Sequence, residues 1–216
     1  MHSLLLLAVS LSVLLSVLAQ KPQPCKAPPY LEGKLVVVSP EGKSLVFEQF
    51  YYDAVEQRIR VIASGKEGTH NVFVDVLMLY RERFYYEISY HNKSCTKVPF
   101  SAAFIPIEIP IDAQHKAQFV IGSLSAPAQG ILVNNWEGSI AEIKANYSMT
   151  FTEFGCIPVT TLYSIEQKGP HAFASFFDIV IGIENPEVFI PPSFCTSAKL
   201  VEQKPGEVAD FFTALM

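Results

Sequence analysis

Short runs of Val, Ile, Phe, Tyr and Thr, cut by Gly, Pro, Asn and Asp at hairpin intervals, make up most of this chain. That texture restricts it to an all-β fold more firmly than any other feature, because β-branched and aromatic side chains suit a pleated, half-buried surface. Residues 33–38 and 43–52 flank "SPEG", a turn in which Pro40 presets φ and Gly42 tolerates unusual backbone angles, so the two runs are expected to pair. Residues 57–63, the turn "SGKEG", residues 71–80, the charged turn "RER" and residues 84–91 continue this hairpin into an antiparallel meander. Pro99, Pro106 and Pro110 each remove a backbone donor, and 98–117 is read as a long crossing loop. Strands resume at 118–122, 131–136, 139–152, 159–167 and 172–184. Helical spacing is confined to 207–215, where Val208, Phe211, Phe212 and Leu215 would share one face.

The segment "NVFVDVLMLY" (71–80) is apolar on both faces over much of its length, so both sides of that strand must be covered. In an all-β fold the cover is a second sheet, packed as an ordinary sandwich core or held apart as a lined cavity. Sixteen Phe and nine Tyr supply the material for either arrangement.

The uncharged run Leu4 to Val17 reads as the h-region of a secretory signal, with Val17 and Ala19 as the small residues of a cleavage site. Residues 1–19 are therefore expected to be removed, leaving 20–216 as a single extracellular domain. A net charge of -5 with no basic run argues against nucleic acid or an anionic membrane surface as partner. Cys25, Cys95, Cys156 and Cys195 lie far apart, which in an oxidising compartment favours two disulfides over metal ligation. Spacing leaves three pairings open.

Nucleophile motifs fail on inspection. "GSLSA" at 122–126 lacks the last glycine of a Gly-x-Ser-x-Gly elbow, and "EGKS" at 41–44 has Val37 where a phosphate loop needs its first glycine. The histidines are scattered, and no calcium loop of the Asp-x-Asp-x-Asp-Gly type occurs. Asp178, Glu184 and Glu187 crowd one stretch and are the protein's own calcium candidates, although such acids are usually a solvated face. No catalytic residue and no catalytic cofactor are expected. Two Asn-x-Ser acceptors are present, at Asn92 and Asn146. In "ANYSMTFT" alternation puts Tyr147, Met149 and Phe151 on one face and Asn146 on the other, where a sugar can stand.

The segments "PCKAPPYLEGK" (24–34), "YDAVEQRIRV" (52–61), "SCTK" (94–97), "GCIPV" (155–159) and "FFDIVIGIENPEVFIPPSFC" (176–195), in this order, resemble the ependymins, a family of secreted glycoproteins. The resemblance implies two stacked, curved antiparallel sheets around a hydrophobic pocket, similar to bacterial lipoprotein carriers, and association as a homodimer. It implies the pairing Cys25 with Cys156 and Cys95 with Cys195. It also implies calcium binding through sialylated glycans and an extracellular role in neural plasticity and regeneration.

The resulting expectation is a secreted glycoprotein that takes up a lipid, fatty acyl chain or other hydrophobic small molecule. Candidate pocket residues, drawn from the apolar runs, are Phe73, Val74, Val76, Met78, Tyr86, Ile88, Tyr147, Met149, Phe151, Phe177 and Ile179. The alternative is a calcium-dependent cell-matrix adhesion or signalling glycoprotein, with collagen as a candidate partner and no lipid ligand.

Overall fold

The computed structural model describes residues 21–38, 44–67, 70–141, 145–165 and 171–201. The expected signal segment, the "SPEG" turn and the 207–215 helix lie outside the described residues. Eleven strands follow in chain order: β1 (Tyr30–Val38), β2 (Ser44–Asp53), β3 (Arg58–Glu67), β4 (His70–Leu79), β5 (Phe84–Ser89), β6 (Ser94–Pro99), β7 (Gln114–Gly122), β8 (Gly130–Ile140), β9 (Ala145–Thr152), β10 (Pro158–Ile165) and β11 (His171–Ile181).

The architecture is antiparallel and all-β, as the texture requires. Hydrogen bonding runs without interruption in the order β6-β5-β4-β3-β2-β1-β11-β10-β9-β8-β7, and the sheet does not close into a barrel. The N-terminal and C-terminal meanders are therefore halves of one ladder, joined where β1 pairs with β11 from Leu31↔Ile181 to Val38↔Phe173. Period-two alternation gives this sheet an apolar inner face. Leu31, Leu35, Phe50, Tyr52, Val98 and Phe151, drawn from both halves, are each no more than 2% exposed in one buried cluster.

Several strand boundaries differ from the sequence reading. "SGKEG" is not a turn through its whole length, because β3 continues to Glu67 and pairs Lys66 with Asn71. A strand not foreseen, β6, pairs Ser94–Pro99 with β5, so Val98 and Pro99 leave the crossing loop. Pro99 closes that edge strand, where a missing N–H costs no ladder bond. Residues 114–117 leave the loop at its other end to begin β7. The break expected at residues 137–138 is absent and the run read as one strand over 139–152 is instead divided between Ile140, the end of β8, and Ala145, the start of β9: Gly138 sits inside β8 opposite Tyr147, whose phenol would collide with any Cβ at that position. The glycine thus marks a close approach of a ring, not a turn. At the far end, β11 stops at Ile181, short of Glu184, with Gly182 at φ 111°.

Candidate ligand-binding interior

The inner face and its cover are built from three parts. Alternation on β2 and β3 directs Phe50, Tyr52, Ile59, Val61 and Ala63 inward. On β8 to β10 it directs Trp136, Tyr147, Met149, Phe151 and Tyr163 to the same cluster. The third part is the crossing segment between β6 and β7, whose Phe100, Ile107 and Ile109 are 4–7% exposed.

This strap is fastened at several points. Ala27 N–H donates to the Ile107 carbonyl at 3.0 Å, Ile109 N–H to the Cys25 carbonyl at 2.9 Å, and Ile107 N–H to the Tyr52 hydroxyl at 3.0 Å. Phe104 stacks on Tyr52 with ring centroids 5.8 Å apart and meets Tyr80 edge-on at 5.2 Å. Pro106 and Pro110 remove two of its N–H groups, and those of Phe100, Ile109 and Ala113 donate to backbone carbonyls, which helps the strap lie on an apolar face outside the ladder. The Cys25–Cys156 disulfide, spanning 131 residues with Cα atoms 6.0 Å apart, secures the segment that holds it.

Between the strap and the sheet lies a cavity of about 50 Å³, lined by Ile105, Ile107, Met149, Phe151, Tyr163 and Phe176 among others. Ligand pockets for small molecules usually measure roughly 300–1,000 Å³, so this one holds no acyl chain while the strap is seated. Elsewhere in the inner layer, outside the lining of this cavity, three buried polar atoms have no hydrogen-bond partner among the described residues: Trp136 Nε1, the Tyr147 hydroxyl and Glu48 Oε2. Burial pushes the Glu48 carboxyl up to about 7. Burial likewise raises the Tyr147 phenol, with Asp112 adding to the effect.

The structure divides the candidate pocket residues among three environments. Val76, Met78, Tyr147, Met149, Phe151 and Ile179 pack in or against the inner cluster. Tyr86 and Ile88 belong to a separate cluster with Leu77, on the opposite face of the sheet. Phe73, Val74 and Phe177 are 62%, 39% and 37% exposed. Phe177 follows Phe176, which packs inward, so alternation points it outward; Asp178 then adopts φ 53° beside a register shift, which turns Ile179 inward against the parity it shares with Phe177. Among the described side chains of "NVFVDVLMLY", cover on both faces begins only at Asp75.

The outer cover over β4 and β5 is the 182–195 segment, which places Ile183, Val188, Phe189, Phe194 and Cys195 on Leu77 and Ile88. Asn185 caps the 3-10 turn Pro186–Phe189, its side chain accepting from Glu187 N–H at 3.0 Å. Beneath it Arg60, on β3, donates from Nε and Nη2 to both Asp75 oxygens at 3.0 and 2.8 Å. Nη2 also reaches the Tyr90 hydroxyl at 3.0 Å, and Nη1 the Val188 carbonyl at 2.7 Å. Burial opposes the Arg60 charge, but the Asp75 bonds outweigh it and raise the pKa. Sequence reasoning missed this pair. Its signal was the single acid inside an apolar strand.

Cys95–Cys195, with Cα atoms 5.1 Å apart, anchors the same cover to β6, so both disulfides take the pairing the resemblance implies. Asn92 is exposed in the turn between β5 and β6, and Asn146 is exposed on β9. The acids named as calcium candidates do not converge. Asp178 pairs with Lys34 at 2.9 Å, and among the described residues no three His, Cys, Asp or Glu side chains form a metal-holding group. No helix among these residues is long and apolar enough to cross a membrane.

Comparison with known proteins agrees with this geometry. The Ependymin family model matches residues 68–195. Ependymin-2 of Carassius auratus is 33% identical over 204 residues, covering 94% of each chain. Ependymin-2 of Salmo salar is 32% identical, over 88% of this chain and 86% of that protein. Mammalian ependymin-related protein 1 of Mus musculus is 30% identical, over 86% of this chain and 82% of that one. A crystal structure of an uncharacterized conserved protein from Thermus thermophilus shares the fold at a TM-score of 0.51 and 9% identity, over 90% of this chain and 99% of that chain.

Proposed function

Since the chain belongs to the ependymin family, we propose that it is a secreted glycoprotein that holds an apolar ligand, a lipid or fatty acyl chain, between its inner face and a displaceable strap, without covalent chemistry. The observation that carries this reading is the apolar cavity of about 50 Å³ under the proline-bearing segment at Ile105 to Glu108. Lifting the strap would join this cavity to the inner face around Phe50 and Tyr52. The Trp136 and Tyr147 donors would then be available to a ligand headgroup. Water expulsion drives uptake at about 25 cal/mol per Å² of apolar surface, and displacing the strap offsets part of it.

The test is native mass spectrometry of glycosylated, secreted material, followed by titration of the delipidated protein with a fluorescent fatty acid. A retained lipid mass and displaceable probe fluorescence are expected. No bound lipid together with no probe binding would refute the proposal.

Glycan-mediated calcium binding is a second reading, favoured by the exposure of both Asn92 and Asn146. Sialic acid carboxylates are hard oxygen ligands of the kind calcium takes. Desialylation should abolish calcium binding measured by calorimetry, and unchanged binding would end this reading. An adhesive role toward collagen, and the neural role implied by the family, would follow from it. The homodimer would use the outer-face row Leu45, Val38, Phe173 and Leu162, which the register places side by side on β2, β1, β11 and β10. Light scattering on Phe173→Asp checks that surface, with a monomer expected.

A further inference from the structure

The β5–β6 hairpin also runs two pairs past its neighbour β4, but there Ile88 and Cys95 pack under the 182–195 segment, a cover that the end of the β7–β8 hairpin lacks among the described residues. Its register runs to Gly122↔Gly130, whereas β9 pairs with β8 only from Val133 onward and the last tie from that side is Glu153 N–H to the Leu132 carbonyl at 2.9 Å, so beyond the Val120↔Leu132 pair the last two pairs form a ribbon projecting past the rest of the sheet. Ile121 and Ile131 occupy one side of this ribbon at 42% and 59% exposed, and Phe119 continues that side at its base at 42%. Val120 and Leu132 occupy the other, and Leu124 stands at the turn 85% exposed. Residues 117–136 contain no Asp, Glu, Lys, Arg or His.

We propose that this hairpin tip docks the protein on an uncharged lipid surface, entering the headgroup and upper acyl region of a zwitterionic bilayer. A protein partner would bury one side of a ribbon and leave the other wet. A surrounding apolar medium covers both sides and the turn together. The backbone at the tip is suited to such a medium, because Ser123 N–H donates to the Gln129 carbonyl at 2.9 Å and Ser125 N–H to the Ser123 hydroxyl at 3.0 Å.

Depth is limited by a polar collar at the base of the ribbon. Gln118 donates to Asn134 Oδ1 at 3.1 Å and to Glu153 Oε2 at 3.2 Å, Asn134 also donates to Glu153, and His115 Nε2 lies 3.2 Å from Asn134 Oδ1. Immediately beyond stand Lys116 and Glu137, paired at 3.4 Å. β7 is also an edge strand with one row of backbone groups unmatched by another strand. Immersion therefore stops at interfacial depth, about 5–10 Å, and does not span the bilayer. A hollow of about 480 Å³ beside Val120, Leu124 and Leu132 offers space for acyl segments at that depth.

The experiment uses the delipidated full-length secreted chain with extruded phosphatidylcholine vesicles, read by co-sedimentation. The protein should pellet with vesicles, and should still do so in high salt, because no ion pair is involved. Leu124→Asp combined with Ile131→Asp should reduce partitioning by about tenfold or more. Ile190→Asp, at an apolar site 63% exposed on the outer cover, should leave it unchanged. No pelleting of the wild type, or equal pelleting of the hairpin double variant, overturns the proposal. So does a lipid-free dimer that the double variant dissolves, which would assign the hairpin to a second copy. Because probe uptake by the interior is measured without vesicles, either result leaves the ligand-holding reading standing or falling separately.

Discussion

On the outer face of β4 and β5, Leu77 and Ile88 are 0% and 4% exposed beneath the 182–195 segment, whereas on β7 and β8 Phe119 and Ile131 stay 42% and 59% exposed. Both regions use the same alternating apolar residues. The difference lies in what fastens a cover: the first region has the Arg60–Asp75 pair reaching the Val188 carbonyl and a disulfide at Cys195, and the hairpin has neither. Apolar alternation thus sets which side chains share a face, and a few polar or covalent ties elsewhere decide whether that face is closed.

The strongest way to break this contrast is Asp75→Ala. It strands the Arg60 guanidinium, only 8% exposed in its side chain, and should cost about 3–5 kcal/mol in a urea melt. A loss under about 1 kcal/mol would mean that the ion pair does not fasten the cover, leaving the disulfide and apolar contact to hold it. Next, Cys95→Ser with Cys195→Ser should cost about 2–4 kcal/mol and increase protease cleavage within 182–195, because the tie closes a separation of 100 residues.

Glu48 tests the inner face by contrast. Its carboxyl is raised from 4.5 to about 7 in the folded protein, so folding favours the protonated form. The associated stability is fully present below about pH 4.5 and is lost as pH rises through about 7. The loss should approach about 3 kcal/mol, and Glu48→Gln should flatten that part of the stability-pH curve. The smallest effect belongs to the hairpin: Leu124→Asp, at 85% exposure, should change stability by no more than about 0.5 kcal/mol. A larger loss would reveal a contact that the bare ribbon lacks.

Alternation and turn residues were enough to recover nearly every strand, and to place Tyr147, Met149 and Phe151 opposite Asn146 on β9. They failed where backbone pairing, not side-chain pattern, decides. Residues 64–67 look like a turn because Gly65 interrupts the apolar run, yet the ladder with β4 carries on through them. Gly138 looks like a break, but the constraint on it comes from Tyr147, across the β8–β9 ladder. Phe177 and Ile179 share a strand parity and would share a face, until the irregularity at Asp178 separates them. Tyr86 and Ile88 entered the pocket set because a residue list cannot say which of two covered faces an apolar position meets. The buried role of Arg60 was similarly out of reach, since its partners lie 15 and 128 residues away along the chain.

The seam between β1 and β11 has a consequence for how the molecule comes into being. The centre of the ladder is made from the first and last strands, so the middle of the sheet waits for the final stretch of chain to be delivered. Pairings at such sequence distance form late and slowly, on the order of milliseconds to seconds for β topologies. Until then the nascent protein is two separate meanders, each with an open strand at what will become its interior boundary, a state in which a chaperone would be most useful.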